Sequence, residues 1–560
     1  MDRSRSFYFV AVALLALTAF FVRAVSLDTQ SLWRDEVDAL CYAFEFPQLI
    51  ARALTPEAPG DLYTPCACPL LPIALNGAAE EGILSRLARV LGGTIRQNGP
   101  LYYLMLRGWI ALAGQSEYAM RFFALFFGVL GVPLIYALGR RLFNPDVGLF
   151  AALLITFSPY LTWYSQEVRM YTMVPALALL IVYALRRAVD GGGWPWWAVQ
   201  SIATTLAFYS HILAALLIPV QILLYFAWWP RARKQWMGAL ISLAFLTLPY
   251  LPLVIWQAPL ALQTRETGFP SYTLAQMAEI LLNGWSLGIA GWGWSWGMWL
   301  TGLLALWGLL SFLIFSPPSG EGSGWVRNRL SLLIWLVTPL LTVWLISLRQ
   351  PLFTDRYLSW AAPAFYLLVA LGLSSFADFG IWGRGVAIVL AGLVLVVSGN
   401  NIWRQATNVL KADFRAAAAH VANYSALNES TADPPRGEDY SFRCYLPLVI
   451  TERPTPGELI VFQIPHARYS FDYYFPADEY AWAEGLYTNH RAPDGSYLMS
   501  EQEVAFRMEE MTAGYSTIWL LATEVSMWDE RGLVQAWLEA NGERVDEAHF
   551  VRVDVYRYVK

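Results

Sequence analysis

Three short clusters of opposite charge interrupt an otherwise apolar chain, and each stands where a hydrophobic run begins or ends. Ser31 to Glu36 places the adjacent acids Asp35 and Glu36 after Trp33 and Arg34. Tyr164 to Tyr171 carries Glu167 and Arg169, and Asp355 to Tyr357 sets Arg356 against Tyr357. A carboxylate at a membrane surface is costly unless it is hydrated, paired or used. One placed there can take a proton from a hydroxyl brought to the interface. Arginine's forked guanidinium suits a phosphate. His211, at a turn between two apolar runs, can donate to a phosphate oxygen when charged. Taken singly, each cluster has a plainer explanation: solvated loop acids, hydrated anchors, an arginine snorkelling beside an aromatic, a structural histidine. Together they put acids and cations from four segments on one membrane face, the layout needed to act on a phosphate at the interface.

The elements that must position these residues are membrane helices. The chain has 560 residues, 57% hydrophobic and only 14% charged, and its mean hydropathy is +0.41. Soluble domains carry about 25% charged residues, so most of this chain cannot face water. A net charge of -5 excludes the clustered basic surface that nucleic acid requires. The 26 Trp and 29 Tyr suit the headgroup layer. The first apolar run, Phe7 to Val22, resembles a signal peptide, but no clean small-x-small cleavage site ends it and more spans follow. It reads as an uncleaved first span.

Crossing the hydrocarbon takes about 20 apolar residues. About eleven such runs are predicted, near 7–25, 118–138, 147–163, 171–186, 195–210, 212–229, 237–256, 293–315, 330–348, 358–376 and 384–400. Short loops rich in Lys and Arg mark the cytoplasmic side. Arg3 and Arg5, Arg140 and Arg141, Arg186 and Arg187, Arg231 to Lys234, Arg327 and Arg329, and Arg384 follow alternate spans. They share one side if Gly99 to Gly114 lies in or dips into the outer interface as a helix instead of crossing. The expected architecture is a polytopic α-helical protein of the inner membrane: a transmembrane domain over 1–400 with a long first outer loop at 26–117, and an extracytoplasmic α/β domain over 401–560. All the charged clusters then lie outside.

Beyond Asn400 the composition becomes that of a soluble domain. Helices are predicted over Asp413 to Ser425 and Asp529 to Ala540, and buried strands over Glu458 to Ile464 and Ser516 to Thr523. The alternating Val551 to Val559 predicts a half-buried strand, and residues 427–457 an irregular insertion. The four cysteines, Cys41, Cys66, Cys68 and Cys444, fall on the outer side, where disulfides persist. Cys41 bridged to Cys66 or Cys68 would staple the first loop, and free thiols are the alternative. No His pair sits at zinc-ligand spacing.

A resemblance adds what spacing does not supply. Asn98 to Tyr103, Gly114 to Arg121, Tyr136 to Phe143 and Ser158 through Tyr171 resemble family-39-like glycosyltransferases of the C-type superfamily, with the protein O-mannosyltransferases and lipid A aminoarabinose transferases. Trp33 to Glu36, Tyr209 to His211, Arg356 to Leu358 and Asp413 to Ala417 are similar to the same family. The resemblance implies a polyprenyl-phosphate-sugar donor, inverting transfer at the outer face, and a protein, lipid or glycan acceptor. It implies Asp35 as catalytic base with Glu36 beside it, Glu167 at the second acidic position, and Arg169 and Arg356 on the donor phosphate with His211 and Tyr357 nearby. Where many relatives carry His or Lys, this chain has Asn98, which donates a hydrogen bond but brings no charge. A monophosphate leaving group held by arginines requires no metal or other cofactor, although the acids could bind a divalent ion as in the related oligosaccharyltransferases. A lipid or sugar transporter is the rival class. It would favour broken helices in paired halves and charges at mid-membrane, whereas here the charges stand at span ends.

Overall fold

In hydrocarbon a lone backbone segment satisfies its own polar groups only as a helix, and the apolar runs of this chain fold accordingly. The computed structural model describes residues 3–54, 99–247, 250, 270–289, 294–313, 322–424, 457–475, 480–492 and 494–560. Among them, four helices are long and apolar enough to cross a membrane: Ser6–Ala24, Glu117–Leu142, Trp296–Leu313 and Gly324–Ser347. A fifth helical stretch, Asp355–Thr407, also qualifies, and Pro145–Thr156 with Pro159–Ser165 makes a sixth if that bent pair is one span. The chain is therefore a multi-pass membrane protein.

The elements used below are α1 (Arg3–Ala24), α2 (Arg34–Leu54), α3 (Pro100–Ala113), α4 (Glu117–Leu142), α5 (Pro145–Thr156), α6 (Pro159–Ser165), α7 (Met173–Arg187) and α8 (Trp194–Ser210). They continue with α9 (Leu217–Ala227), α10 (Trp236–Thr247), α11 (Leu274–Leu287), α12 (Trp296–Leu310), α13 (Gly322–Ser347), α14 (Ala362–Ser375) and α15 (Gly380–Thr407). Several predicted spans are corrected in detail. The run at 147–163 is two helices bent by 57°, because Pro159 has no N–H to continue the first one. The freed carbonyls of Ile155 and Thr156 are capped by the buried guanidinium of Arg23, at 2.7 and 2.9 Å. The run at 171–186 starts only at Met173, since residues 166–172 form a buried turn segment. The run at 358–376 opens as a 3-10 turn over Asp355–Ala361. The end of the run at 237–256 and the insertion at 427–457 lie almost wholly outside the described residues.

Gly99 to Gly114 folds as a helix, α3. Its start requires a glycine: a Cβ on Gly99 would stand 1.9 Å from the carbonyl oxygen of Tyr209. That close approach pins α3 to the end of α8. Cys41 is disulfide-bonded, so the free-thiol alternative fails for it. Cys66, Cys68 and Cys444 lie outside the described residues.

After α15 the chain builds a five-stranded mixed sheet from β1 (Glu458–Phe462), β2 (Trp482–Glu484), β3 (Thr517–Ala522), β4 (Glu543–Phe550) and β5 (Val553–Val559). The order is β2-β1-β3-β5-β4, with β2, β1 and β3 parallel and β5 and β4 antiparallel. Helices α16 (Phe414–Tyr424) and α17 (Ala467–Asp472) cover one face, and α18 (Glu501–Thr512) and α19 (Leu533–Asn541) the other. The last predicted strand starts two residues late. Val551 and Arg552 form the turn of the β4–β5 hairpin, with Arg552 at φ 57. Asp529 lies before its helix and accepts the N–H groups of Leu533 and Val534, satisfying donors that a helix start leaves open.

Candidate active site

Helix α2 begins at Arg34 with both acids in its first turn, where the helix dipole favours negative charge. Successive residues on a helix point about 100° apart, so the two neighbours go to different places. Glu36 turns into the bundle and is completely buried. Arg121 grips it with Nε to Oε1 at 2.8 Å and Nη2 to Oε2 at 2.9 Å. Lys411 Nζ donates to Oε2 at 2.9 Å and the Val168 amide to Oε1 at 3.0 Å. Burial alone would raise the Glu36 carboxyl, but Arg121 and Lys411 prevail and hold it at about 2. The remaining donors of Arg121 go to the carbonyls of Leu27, Gln30 and Ser31, at 2.9, 2.8 and 3.2 Å. This pair is fully hydrogen-bonded, the condition under which a buried charge pair is tolerated. It locks the turn after α1 onto α4.

Asp35 faces the other way. Its Oδ2 lies 2.5 Å from Nη1 of Arg356, and both side chains are partly exposed. The contact has the distance of an ion pair without hydrogen-bond alignment, and Oδ2 has no other partner. Arg169 Nη1 donates to the Asp35 carbonyl at 3.0 Å and lies 3.4 Å from the Tyr103 hydroxyl. The ring of Tyr171 stands between the two guanidiniums, 5.9 Å from each. Arg356 also packs over Trp33 at 5.5 Å and Tyr357 at 5.9 Å. Asp355 supports this turn: Tyr164 donates to its carboxylate at 2.9 Å and Tyr160 to its carbonyl at 3.0 Å.

Glu167 is buried within the turn segment after α6, and its nearest cation is Lys411 Nζ at 3.6 Å. Burial pushes its carboxyl up to about 7, against the pull of Lys411. His211 packs 5.1 Å from Tyr357 and 6.2 Å from Tyr171, ring centre to ring centre. Burial, then the charges of Arg169 and Arg356, push its imidazole down to about 3. The sequence reading allowed His211 to meet a phosphate as a cation. These surroundings favour the neutral imidazole, which would offer a phosphate one neutral N–H. Asn98 lies outside the described residues.

Asp35, Glu167, Arg169, Arg356, His211 and Tyr357 thus converge. Several polar atoms among them and their neighbours have no hydrogen-bond partner: Glu167 Oε2, Arg169 Nε, Arg356 Nε, Tyr171 Oη, His211 Nδ1 and Trp33 Nε1. Buried polar groups are rarely left unpaired, so this concentration marks a place prepared for a polar ligand. Glu36 is not among them, since both its oxygens are engaged. Each carboxylate already has a cation, and a divalent ion would compete with an arginine or lysine for it. No group of three His, Cys, Asp or Glu at metal-binding spacing occurs among the described residues.

Two residues escaped the sequence reading as site members. Arg121 carried a signal, because a cation inside an apolar run needs a partner. Lys411 carried none. It stands alone in an ordinary stretch past the last span, and only the fold returns it to α2.

Comparison with known proteins places these observations on a known scaffold. Residues 97–256 match the family described as dolichyl-phosphate-mannose-protein mannosyltransferase. No curated protein matches. Among solved structures, the chain is similar to ArnT from Cupriavidus metallidurans bound to undecaprenyl phosphate, at 12% identity and a TM-score of 0.52, covering 99% of this chain and 98% of that one. It is also similar to the oligosaccharyltransferase AglB from Archaeoglobus fulgidus in complex with an inhibitory peptide and a dolichol-phosphate, at 11% identity and a TM-score of 0.50, covering 99% and 74%. At such identities the likeness is one of fold alone: a polytopic membrane domain followed by a globular C-terminal domain.

Proposed function

We propose that this multi-pass protein, built on the C-type glycosyltransferase fold, transfers a sugar from a polyprenyl-phosphate donor to a hydroxyl acceptor at the outer face of the cytoplasmic membrane. The observation that carries the reading is the ion pair of Asp35 with Arg356, flanked by Arg169 and ringed by unpartnered polar atoms. In this reading Asp35 is the base and Arg356 the cation that would meet the phosphate, and the two are in contact.

The reaction is a single displacement with inversion. The acceptor oxygen attacks the anomeric carbon while its proton passes to Asp35. The bond from that carbon to the phosphate oxygen breaks, and the electron pair leaves with the polyprenyl phosphate. Protonating Asp35 cancels its hold on Arg356, whose charge turns to the phosphate as the phosphate gains negative charge. Stabilisation is then greatest in the transition state, where it accelerates reaction. Arg169 holds the same phosphate, and Tyr357, neutral His211 and Asn98 donate hydrogen bonds to it. Glu36 acts through structure, by holding α2. No metal enters a step.

The test is direct. Purified protein in lipid nanodiscs should release free polyprenyl phosphate from a labelled donor, with the sugar appearing in an envelope acceptor. Binding or movement of the donor without cleavage would instead identify a transporter. Arg356→Gln should raise the donor KM about ten- to a hundred-fold, the worth of one hydrogen bond to a charged group. An unchanged KM would take Arg356 off the phosphate.

This reading also includes about eleven spans, with α3 held at the outer interface, a transmembrane domain over 1–400 and an extracytoplasmic domain over 401–560. Leu498 is 56% exposed on the C-terminal domain. A Leu498→Cys variant should react with a membrane-impermeant maleimide in intact spheroplasts, and labelling only after lysis would reverse the orientation.

A further inference from the structure

The short link between α15 and the C-terminal sheet domain is tied at both ends. The Gln30 side-chain oxygen accepts the amides of Leu410 and Lys411 at 2.8 and 3.2 Å. Its nitrogen donates to the carbonyls of Gln405 and Asn408 at 3.3 and 2.7 Å. Ser31 Oγ donates to the carbonyl of Ala412 at 2.6 Å. On the other side, the Asp413 amide donates to the carbonyl of Val551 in the β4–β5 hairpin at 3.0 Å. Between these ties Lys411 is directed inward. Its side chain is 3% exposed, with the ammonium 2.9 Å from Glu36 and 3.6 Å from Glu167. The rings of Trp33 and Trp163 stand 5.8 and 5.3 Å away.

We propose that Lys411 is a positioning residue through which the C-terminal domain completes the active site: docking of the link on Gln30 and Ser31 delivers the cation that pairs with Glu167 beside the reacting groups. The inference rests on the transferase reading above. Glu36 keeps Arg121 as a partner when Lys411 is removed. Glu167 has no other ion pair among the described residues. The groups whose charges reach Glu167 come from three elements: Lys411 on the link, Glu36 and Asp35 on α2, and Arg356 on the 3-10 turn. The hydroxyls of Tyr102 and Tyr164 also face it. The two carboxylates, Glu36 and Asp35, favour the protonated form of Glu167, and removal of Lys411 leaves that push opposed only by Arg356. The site is then incomplete in any state that withdraws the link, and the soluble domain is part of the catalytic unit.

The experiment uses the full chain in nanodiscs and follows release of polyprenyl phosphate against pH. An inactive wild type overturns the transferase reading itself, and the variants are compared only against an active one. Lys411→Met keeps the length of the stem and removes the charge. Its acidic limb should move up by about one pH unit or more, given a cation at this range in a poorly screened site, and kcat at pH 7 should fall at least about ten-fold. Lys411→Arg should restore the limb. Gln30→Ala removes the four Gln30 hydrogen bonds to the link but no charge. It should lower kcat without moving the limb of the fraction that remains docked. A Lys411→Met enzyme with the wild-type limb overturns the proposal. If that variant does not fold, Gln30→Ala decides, and a wild-type kcat there overturns it equally.

Discussion

Asp35→Asn is expected to reduce sugar transfer by about 10²- to 10⁴-fold, the range that a positioned general base contributes. The amide has nearly the shape of the carboxylate and cannot take the acceptor proton. The same substitution removes the counter-ion of Arg356 and leaves that guanidinium free for the donor phosphate, so donor affinity should hold or increase. Loss of turnover with retained or tighter donor binding separates a missing base from a damaged fold. Single-turnover assays and donor titrations on one purified preparation make the comparison. Full turnover by Asp35→Asn would remove the base role and leave the Asp35–Arg356 pair as structure only.

The second large effect is on stability. Arg121→Met removes the cation that grips Glu36 and three carbonyls of the turn after α1. Breaking a buried pair on one side costs about 3–5 kcal/mol, and the melting temperature in detergent should drop accordingly. Adding Glu36→Gln to Arg121→Met should recover part of the loss, because it removes the buried carboxylate that Arg121→Met leaves with Lys411 as its one cation among the described residues. If the double variant is no better than the single one, the charge of Glu36 is not what Arg121 compensates. The pH dependence has a definite sign. Glu36 is held near 2, below its ordinary value of 4.5, so it adds stability that is complete above about pH 4.5 and is lost as pH falls toward 2. Glu167 behaves oppositely. Its carboxyl lies near 7, above the same ordinary value, so its protonated form favours the fold at low pH and that contribution fades between about pH 4.5 and 7. Melting curves across this range should show the Glu167 contribution vanish in Glu167→Gln.

The membrane class, most of the helices and the main strands of the C-terminal domain were legible in the residues, because burial in hydrocarbon and in a sheet core both demand apolar runs of characteristic length and period. The charged clusters were legible too, since charge next to hydrocarbon needs a reason. Local sequence could not distinguish Asp35 from Glu36. They are equivalent as letters, and only the helical turn sends one to a partly exposed pair with Arg356 and the other into a closed network. Nor could it show that Pro159 breaks a span, that Arg23 caps the break, or that His211 is neutral, since each depends on which groups surround the atom. Lys411 is the clearest case. Its neighbours in sequence say nothing, and its charge matters only because the chain returns after α15 to lie against the turn that follows α1. Local patterns record how each segment meets its solvent; which distant groups share one dry site is decided by packing, because electrostatic energies depend on distances that only the folded chain sets.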